Sequence, residues 1–300
     1  MLANFFSKSK PVNFIVLFAL FLSYFSFSLF SKEISFETAK ELIGFIAVFG
    51  VFNFVITKNQ LTFDNSFAFL FFIMLIGFFP DVIHIDKTFF ACLIILLFSR
   101  KVYNLQSPKN TFYKLFDGGL WLGVSFLIEP YTALFGVLFY ISIYLHQRFT
   151  YQTLLIPLLG YGCVIFLFFT YCFWYDKTEI FHQLFNWNLS YNIDFYSSIK
   201  YVLSFVFIGI LVFYSLILKT PKALSVLNNF RKSWVLTFVY LLISSVVVLL
   251  IPHKTGTELL LLFFPISIIL ANGLELFQKK WISDVLLLLF FACSILANVL

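Results

Sequence analysis

Glu129 is the ionisable residue whose position in this sequence says most about possible chemistry. It lies between two apolar runs, residues 115–128 and 131–145, and Pro130 follows it directly. An ionised carboxylate well inside hydrocarbon costs on the order of 2–3 kcal/mol, so such a residue usually faces a cavity or a partner. One reading is therefore contact with a substrate or a cation. The other places Glu129 at the headgroup level, where an acid ahead of a proline favours a helix N terminus.

Other ionisable residues lie where they could act on the same ligand. Asp81 and Asp86 lie between two apolar runs, and His253 and Lys254 come just before another. A carboxylate can take a proton from a reacting hydroxyl, and a cation can hold an anionic leaving group. We therefore treat these four residues and Glu129 as candidate site residues.

The elements that must position these residues are membrane helices. Of the 300 residues, 61% are hydrophobic and only 11% are charged, which leaves too few charges for the surface of a soluble protein of this size. The composition predicts an all-α, polytopic transmembrane helix bundle that forms one domain over residues 1–300. About eleven apolar segments can be recognised, at 12–30, 42–56, 67–79, 88–98, 115–128, 131–145, 153–175, 201–218, 234–251, 259–277 and 282–300.

The distribution of Lys and Arg predicts how the chain is threaded. Basic residues are retained on the cytoplasmic side during insertion. An N terminus inside places most of the 20 Lys and Arg residues in the cytoplasm, and leaves outside Lys32, Lys40, Lys87, Lys177, Lys200 and Lys254. We therefore predict a bacterial inner-membrane protein with a cytoplasmic N terminus and a periplasmic C terminus. The basic belt then faces anionic lipid, and no nucleic-acid partner is needed to explain it.

Several of the apolar runs are short for a membrane crossing. A helix of 14 residues rises about 21 Å, whereas the hydrocarbon layer is roughly 30 Å thick. The runs 67–79 and 88–98 and both halves of 115–145 fall in this class. Such pairs either tilt or enter and leave from one side, and broken backbone at membrane depth needs a cover of protein or a water-filled cavity. We therefore expect a cavity near the two tips, residues 80–87 and Glu129-Pro130.

The cysteines and histidines do not indicate a metal or a disulfide framework. The four cysteines lie inside apolar runs and show no CxxC spacing. His84, His182 and His253 fall on the predicted outer side, but without HxxxH or HxxE spacing. We predict no metal and no cofactor.

Two segments resemble a known superfamily. Residues 117–132, DGGLWLGVSFLIEPYT, and residues 252–265, PHKTGTELLLLFFP, with Ala271-Asn272-Gly273 beyond, are similar to recurrent segments of the GT-C membrane glycosyltransferases, which use polyprenyl-phosphate-linked sugars. In that superfamily a Gly-rich helix runs into a polar-Pro step, and a basic outer loop precedes a Leu-rich helix. The whole chain also resembles an uncharacterised family of bacterial polytopic membrane proteins.

The GT-C resemblance implies roles for particular residues. It implies a carboxylate that takes the acceptor proton, for which Asp81, Glu33 and Glu37 are the candidates. It also implies a lipid-linked sugar or polyprenyl phosphate as ligand, contacted by Glu129, Asp86, His253 and Lys254. In the superfamily the first outer loop is long and carries Asp, whereas residues 31–41 of this chain are short and carry only Glu.

The longest outer loop, residues 176–200, could cover such a site. Phe181, Leu184, Phe185 and Leu189 recur at helical spacing, which predicts a short helix in the outer interface. It either roofs a cavity or simply anchors the loop to the membrane surface. Two other functions stay open: a non-catalytic subunit bound to other envelope membrane proteins, and a small-molecule transporter, for which the two short pairs hint at internal repetition.

Overall fold

The computed structural model of the chain describes residues 2–29, 36–187, 194–225, 228–277 and 279–299, and every regular element in them is a helix. The α-helices are α1 Leu2–Phe6, α2 Pro11–Leu29, α3 Phe36–Asn59, α4 Phe67–Phe78, α5 Lys87–Tyr103, α6 Thr111–Ile128, α7 Gly136–Leu145, α8 Tyr151–Trp174, α9 Thr178–Gln183, α10 Ile199–Ser225, α11 Asn228–Leu250, α12 Leu260–Leu274 and α13 Lys280–Val299. Short 3-10 helices cover Pro80–Val82, Asn104–Gln106, Pro130–Phe135, Asp194–Tyr196 and Thr257–Leu259.

Seven stretches of the described chain are long and apolar enough to cross a membrane. They are Phe36–Asn59, Lys87–Gln106, Tyr151–Trp174, Ile199–Ser225, Phe230–Leu250, Thr257–Leu274 and Lys280–Ala297. Pro11–Phe27, Phe67–Phe78 and Pro130–Leu145 are apolar but shorter. The chain is therefore an all-helical, multi-pass membrane protein, and the larger number of about eleven segments stays a prediction.

Helices α4 and α12 form the centre of the bundle. All twelve residues of α4 are buried, and it packs against α12, α13 and α2. At 1.5 Å per residue it is only about 18 Å long, too short to cross hydrocarbon alone. The surrounding helices supply its cover, and phenylalanines fill the contact, with the ring centroids of Phe52 and Phe72 4.2 Å apart. The enclosed short helix meets the requirement that broken backbone be covered by protein.

The outer helices turn apolar side chains away from the protein. Only 17% of the crossing window of α8 and 28% of those of α10 and α13 are buried inside the chain. Phe166, Leu167 and Phe173 of α8 are among the exposed apolar residues. A helix that is apolar on all sides suits contact with lipid on one face and with protein on the other.

Helix α5 is longer than its apolar run predicts. The run ends at Phe98, but the helix continues to Tyr103 and a 3-10 turn extends it to Gln106. Arg100 and Lys101 lie in the last turn, where basic side chains interact favourably with the helix dipole. Lys101 also forms an ion pair with Asp117 of α6 at 2.5 Å. The hydropathy pattern does not show this ion pair, and with its extension to Gln106 the α5 segment is long enough to cross.

The predicted break at Glu129-Pro130 is present. Helix α6 ends at Ile128, and Glu129 adopts an extended conformation with φ −138° and ψ 102°. Pro130 then begins a 3-10 helix that leads into α7. Because proline disfavours helical geometry in the residue before it, Glu129-Pro130 is a natural helix boundary.

The tightest helix contact joins α6 and α8. A Cβ atom on Gly119 would lie 2.2 Å from the carbonyl oxygen of Pro157, and one on Gly160 would lie 2.3 Å from that of Phe116. A Cβ on Gly123 would lie 2.9 Å from the side chain of Val164. The Gly119-xxx-Gly123 spacing thus marks a face on which the two backbones approach closely, as small residues permit in membrane helices.

Candidate functional site

Glu129 is buried and has a charged partner. Its side chain is 2% exposed, and Oε2 lies 3.5 Å from Nζ of Lys87, whose side chain is 60% exposed. Its backbone N–H donates to the carbonyl of Ser125 at 2.8 Å. Lys87 begins α5, so the ion pair ties the start of α5 to the end of α6. We call this end of the bundle the Glu129 end.

Two buried hydroxyls support the backbone around Glu129. Ser125 donates to Oγ1 of Thr132 at 2.9 Å, and Thr132 donates to the carbonyl oxygen of Glu129 at 2.8 Å. Both side chains are fully buried. Burial raises the pKa of the Glu129 carboxyl, while the charge of Lys87 acts in the opposite direction. Whether the Glu129 carboxyl is ionised therefore depends on Lys87, a lysine that solvent can reach.

Asp86 connects α5 with the segment before α12. Its Oδ1 accepts from the backbone N–H of Phe89 at 2.8 Å and so caps the start of α5. Its Oδ2 accepts from the hydroxyls of Thr255 and Thr257, each at 2.8 Å. Asp86 thus holds together two parts of the chain that are about 170 residues apart in sequence.

Two further carboxylates of the same end each hold a tyrosine. Glu258 is completely buried and accepts from the Tyr196 hydroxyl and, at 3.2 Å, from the backbone N–H of Thr255. Asp81, which is exposed, accepts from the Tyr201 hydroxyl. Burial raises the pKa of Tyr196, and the nearby Glu258 charge raises it further, so this phenol stays a donor.

Gly256 allows the two loops to meet. It has φ +92°, in the region that favours glycine, and a Cβ there would lie 3.1 Å from Cβ of Asp81. Asp81, Asp86 and Glu258 therefore converge from two chain segments, and Lys87 brings Glu129 to the same end.

The predicted cation Lys254 caps a helix. Its ammonium donates to the carbonyl oxygen of Leu249 at 3.2 Å and to that of Val248, at the C terminus of α11. Burial lowers the pKa of Lys254, while the charges of Glu258 and Glu129 act to raise it. His253 beside it is exposed. The role of both residues in holding a phosphate stays a prediction.

The segment predicted to be the first outer loop contributes a different acid from those expected. Glu33 lies outside the described residues, and Glu37 is exposed and paired with Lys40 at 2.6 Å. Glu41 is the residue that reaches the 80–87 tip: it is buried, with Oε1 3.2 Å from Nδ1 of His84. Whether Glu33 or Glu37 serves in catalysis stays a prediction.

Sequence reasoning missed the hydroxyl donors of the site. These are Thr255, Thr257, Tyr196 and Tyr201, together with the acid Glu258, which accepts from Tyr196 and Thr255. The Thr-Gly-Thr-Glu segment at the start of an apolar run carried a usable signal, because a buried acid there needs donors close by. Nothing in the local pattern indicated the two tyrosines.

The segment that follows α8, described up to residue 187, packs over the Glu129 break. Phe181 lies 5.1 Å from Phe169 of α8, and Phe185 lies 5.8 Å from Phe126 of α6, measured between ring centroids. Trp187 lies 5.6 Å from Tyr131. The predicted short helix forms as α9, and Phe185 and Trp187, which follow it, cover the junction of α6 and Pro130–Phe135; Leu189 lies outside the described residues.

A sequence profile decides which family the chain belongs to. The profile of a family of unknown function, DUF6427, matches residues 1–299. The chain belongs to this family. No curated protein and no solved structure matches it.

This DUF6427 chain has a cavity away from the two tips near which the sequence predicts one. A cavity lies at the opposite end of α5 from the Glu129 tip, lined in part by Gln106. Within the described residues, no group of three His, Cys, Asp or Glu side chains is arranged to hold a metal ion.

The raised pKa of Glu129 predicts a specific pH dependence. A carboxyl whose folded-state pKa lies above its ordinary value stabilises the fold at low pH, and this contribution is lost as the pH rises through the folded-state pKa. Glu129→Gln removes that dependence. As the pH rises from 5 to 7.5, we expect the melting temperature of Glu129→Gln to rise relative to that of wild type. Intrinsic fluorescence in lipid nanodiscs measures both melting temperatures.

Lys87→Met is the companion variant of that experiment. It leaves the buried carboxylate unpaired and should cost about 1–2 kcal/mol at pH 7.5, less than for a fully buried pair because Lys87 is largely exposed. The cost should shrink at pH 5. A pH-independent difference for both variants would contradict the assignment of Glu129 as a buried, titrating group.

Proposed function

We propose that this chain binds a lipid-linked sugar or polyprenyl phosphate at the outer face of the bacterial inner membrane. The observation that carries the proposal is the convergence of Asp81, Asp86, Glu129 and Glu258 with tyrosine and threonine hydroxyls at one end of the helices. The proposal concerns binding, with Asp81 as the base if a transfer reaction takes place there.

The acids and rings of the site suit a sugar. Carboxylate oxygens are strong acceptors for sugar hydroxyls, and Asp81 is exposed at the surface of the cluster. Aromatic rings lie beside it: Tyr201 stacks on Phe79 with centroids 5.6 Å apart, and Tyr196 lies 5.2 Å from Tyr201. These three rings are buried, and the exposed ring beside them, that of Phe195 with its centroid 5.5 Å from that of Tyr201, offers a flat apolar surface to the C–H faces of a sugar.

The cations and the surroundings suit a lipid phosphate. Lys87 is largely exposed beside Glu129, and Lys254 is partly exposed in the neighbouring loop. A lysine ammonium binds phosphate as a point charge. The lipid tail would lie against the exposed apolar helices, and its head group would lie at the Glu129 end of the same bundle. Lys87 and Lys254 thus supply the positive charge that binding of a phosphate needs and that the acids cannot provide.

The proposed orientation of the site rests on the distribution of basic residues. With the N terminus in the cytoplasm, the Glu129 end faces the periplasm, and the basic loops of the other end face the anionic cytoplasmic leaflet. The proposal includes a periplasmic Glu129 end because a lipid-linked sugar that serves envelope synthesis is presented at the outer face.

Transport is a second candidate function, favoured by one observation. The enclosed helix α4 runs from the cavity, lined by Ser66 and Ala68, to the acid cluster at Asp81. Short helices that stop inside the protein are a common feature of the binding sites of secondary transporters. Uptake of a solute into proteoliposomes would favour this function over lipid handling.

A binding titration tests the proposal. The protein in nanodiscs, prepared without sugar-headed detergent, is titrated with a polyprenyl-phosphate-linked sugar and with the matching polyprenol. We expect the phosphate-linked sugar to bind and Asp81→Asn to weaken that binding about tenfold or more, because a charged acceptor is lost. Glu179→Gln, an equivalent change on the exposed helix α9, is the control and should bind as wild type. Equal binding of polyprenol and lipid-linked sugar would contradict the proposal.

A further inference from the structure

A cavity of about 710 Å³ lies at the end of the bundle opposite Glu129. The end of α3, the loop 60–66 and the starts of α4 and α11 enclose it, and Gln106 closes one side. We call this the Lys58 end, after the lysine in the last turn of α3. The volume is within the range of pockets that hold small molecules, about 300–1,000 Å³.

The polar lining of the cavity is almost entirely uncharged. Five side-chain amides contribute to it, from Asn53, Asn59, Gln60, Asn65 and Gln106. Among the described lining residues Asp64 is the one charged side chain, and it is exposed. Each amide offers both donors and an acceptor. The lining can therefore pair with a ligand that also carries donors and acceptors. Its described residues include no lysine or arginine for a phosphate, and Lys219 behind its rings is buried and already paired with Glu275.

Several of the polar lining groups are buried and fixed by hydrogen bonds. Asn59, Ser66 and Ser233 are 6%, 2% and 4% exposed. Ser233 accepts from the Gln106 amide at 2.6 Å, and Asn59 donates to the carbonyl oxygen of Val55 at 2.7 Å. Polar groups held in this way are pre-organised for a ligand, which lowers the entropic cost of binding.

The loop that forms much of the wall is itself anchored. The Asn272 amide donates to the carbonyl oxygen of Leu61 at 3.0 Å, and the backbone N–H of Ser66 donates to that of Phe6 at 3.0 Å. The Asn65 amide donates to Glu275, which is paired with the buried Lys219. Residues 60–66 therefore form a built wall, fixed by α12 and by the N-terminal segment.

Aromatic rings supply the apolar part of the lining. On one side the half-buried ring of Phe14 lies against the buried rings of Phe69 and Phe52, with centroid distances of 5.6 Å from Phe14 to Phe69 and 6.2 Å from Phe52 to Phe69. Phe63 and Phe230 stack at 6.1 Å on the other, and the Lys219 ammonium lies over both rings. Rigid rings between amides match a ligand that has hydroxyls at its edge and apolar C–H faces.

We propose that this cavity is a second ligand site, which takes an uncharged sugar or sugar-like polyol. The amides pair with the hydroxyls, the rings pack on the C–H faces, and the lack of a lysine or arginine in the described lining disfavours a phosphorylated form. The inference does not depend on the proposed function, because the two sites lie at opposite ends of α5 and share no residue.

A ligand panel tests the assignment. Wild-type protein in nanodiscs, prepared without sugar-headed detergent, is titrated with glucose, N-acetylglucosamine and myo-inositol, and with glucose 6-phosphate, by isothermal titration calorimetry. We expect at least one of the neutral compounds to bind at millimolar concentration or below. Glucose 6-phosphate should bind at least about tenfold more weakly than the best neutral compound, because its charge must be desolvated without a partner.

Two asparagine variants locate the binding. Asn53→Leu keeps the size of a lining side chain and removes one amide, so the Kd of the neutral ligand should rise about fivefold. Asn104→Leu changes a half-buried asparagine near the same end that does not line the cavity, and should leave the Kd unchanged. Melting curves without ligand verify that both variants fold. The proposal is overturned if no neutral compound binds wild type at millimolar concentration, or if Asn53→Leu binds as tightly as wild type.

Discussion

Lys219→Met is expected to lower the free energy of unfolding by about 3–5 kcal/mol at pH 7.5, the cost of breaking a buried ion pair. The Lys219 and Glu275 side chains are 4% and 9% exposed, and Nζ lies 3.5 Å from Oε2. Removing the lysine leaves a buried carboxylate without its charged partner, with hydrogen bonds from the Asn65 amide and the Phe63 backbone, and it also takes the cation away from the Phe63 and Phe230 rings. Denaturant unfolding followed by tryptophan fluorescence measures the loss.

The double variant Lys219→Met with Glu275→Leu separates the pair from its surroundings. Because apolar residues of similar volume can replace a buried ion pair at little or no cost, the double variant should recover most of the lost stability. Lys222→Met, one turn along α10 and exposed, is the control and should stay within about 0.5 kcal/mol of wild type.

The stability cost of Lys219→Met should also depend on pH. Burial raises the pKa of the Glu275 carboxyl, and Lys219 opposes that rise. Without the lysine, the carboxyl becomes protonated at a higher pH, so the cost of Lys219→Met should decrease as the pH falls towards 5. A cost that stays the same at both pH values would mean that Glu275 is not the group left unpaired.

Gly119→Ala is expected to destabilise the protein by about 3 kcal/mol, at the upper end of the usual cost of overpacking. The added Cβ would lie 2.2 Å from the Pro157 carbonyl oxygen and 3.1 Å from the Tyr161 nitrogen, so helix α8 must move as a whole. Gly160→Ala meets the Phe116 carbonyl oxygen at 2.3 Å and should behave in the same way. Thermal unfolding in nanodiscs measures both variants.

Gly162→Ala is the matched control for helix packing. It lies on the same helix as Gly160, and nothing lies within 4 Å of the position its Cβ would take. Alanine favours a helix over glycine by up to about 1 kcal/mol, so this variant should be neutral or slightly more stable. If Gly119→Ala and Gly162→Ala unfolded at the same temperature, the close contact of α6 and α8 would be wrong.

The sequence predicted the helical class and the break at Glu129-Pro130, because both depend on local chemistry. Composition alone indicates a membrane bundle, and proline restricts the residue before it whatever the tertiary structure. The spacing of Gly119 and Gly123 marks a contact face, but it does not specify the partner. That Pro157 and Gly160 of α8 meet this face follows only from the three-dimensional packing.

The site was only partly predictable, because several of its residues meet only through the three-dimensional packing. Asp81 and Asp86 could be chosen because they are acids at the tip of an apolar pair. Their convergence with Thr257 and Glu258 joins parts of the chain about 170 residues apart, and no local pattern encodes it. The cavity at the Lys58 end was missed because Asn53 lies within an apolar run and residues 60–66 read as an ordinary polar loop.

The lipid that stays bound to the protein after gentle purification tests the central proposal most directly. Wild type, Asp81→Asn and Glu179→Gln are purified in a mild detergent without a sugar head group, and the bound lipids are quantified by mass spectrometry against protein. We predict that wild type and Glu179→Gln retain a polyprenyl phosphate or a lipid-linked sugar in an amount comparable to the protein, and that Asp81→Asn loses most of it. Extracts of all three that contain only bulk phospholipid, or a stoichiometric partner protein in place of the lipid, would contradict the proposal.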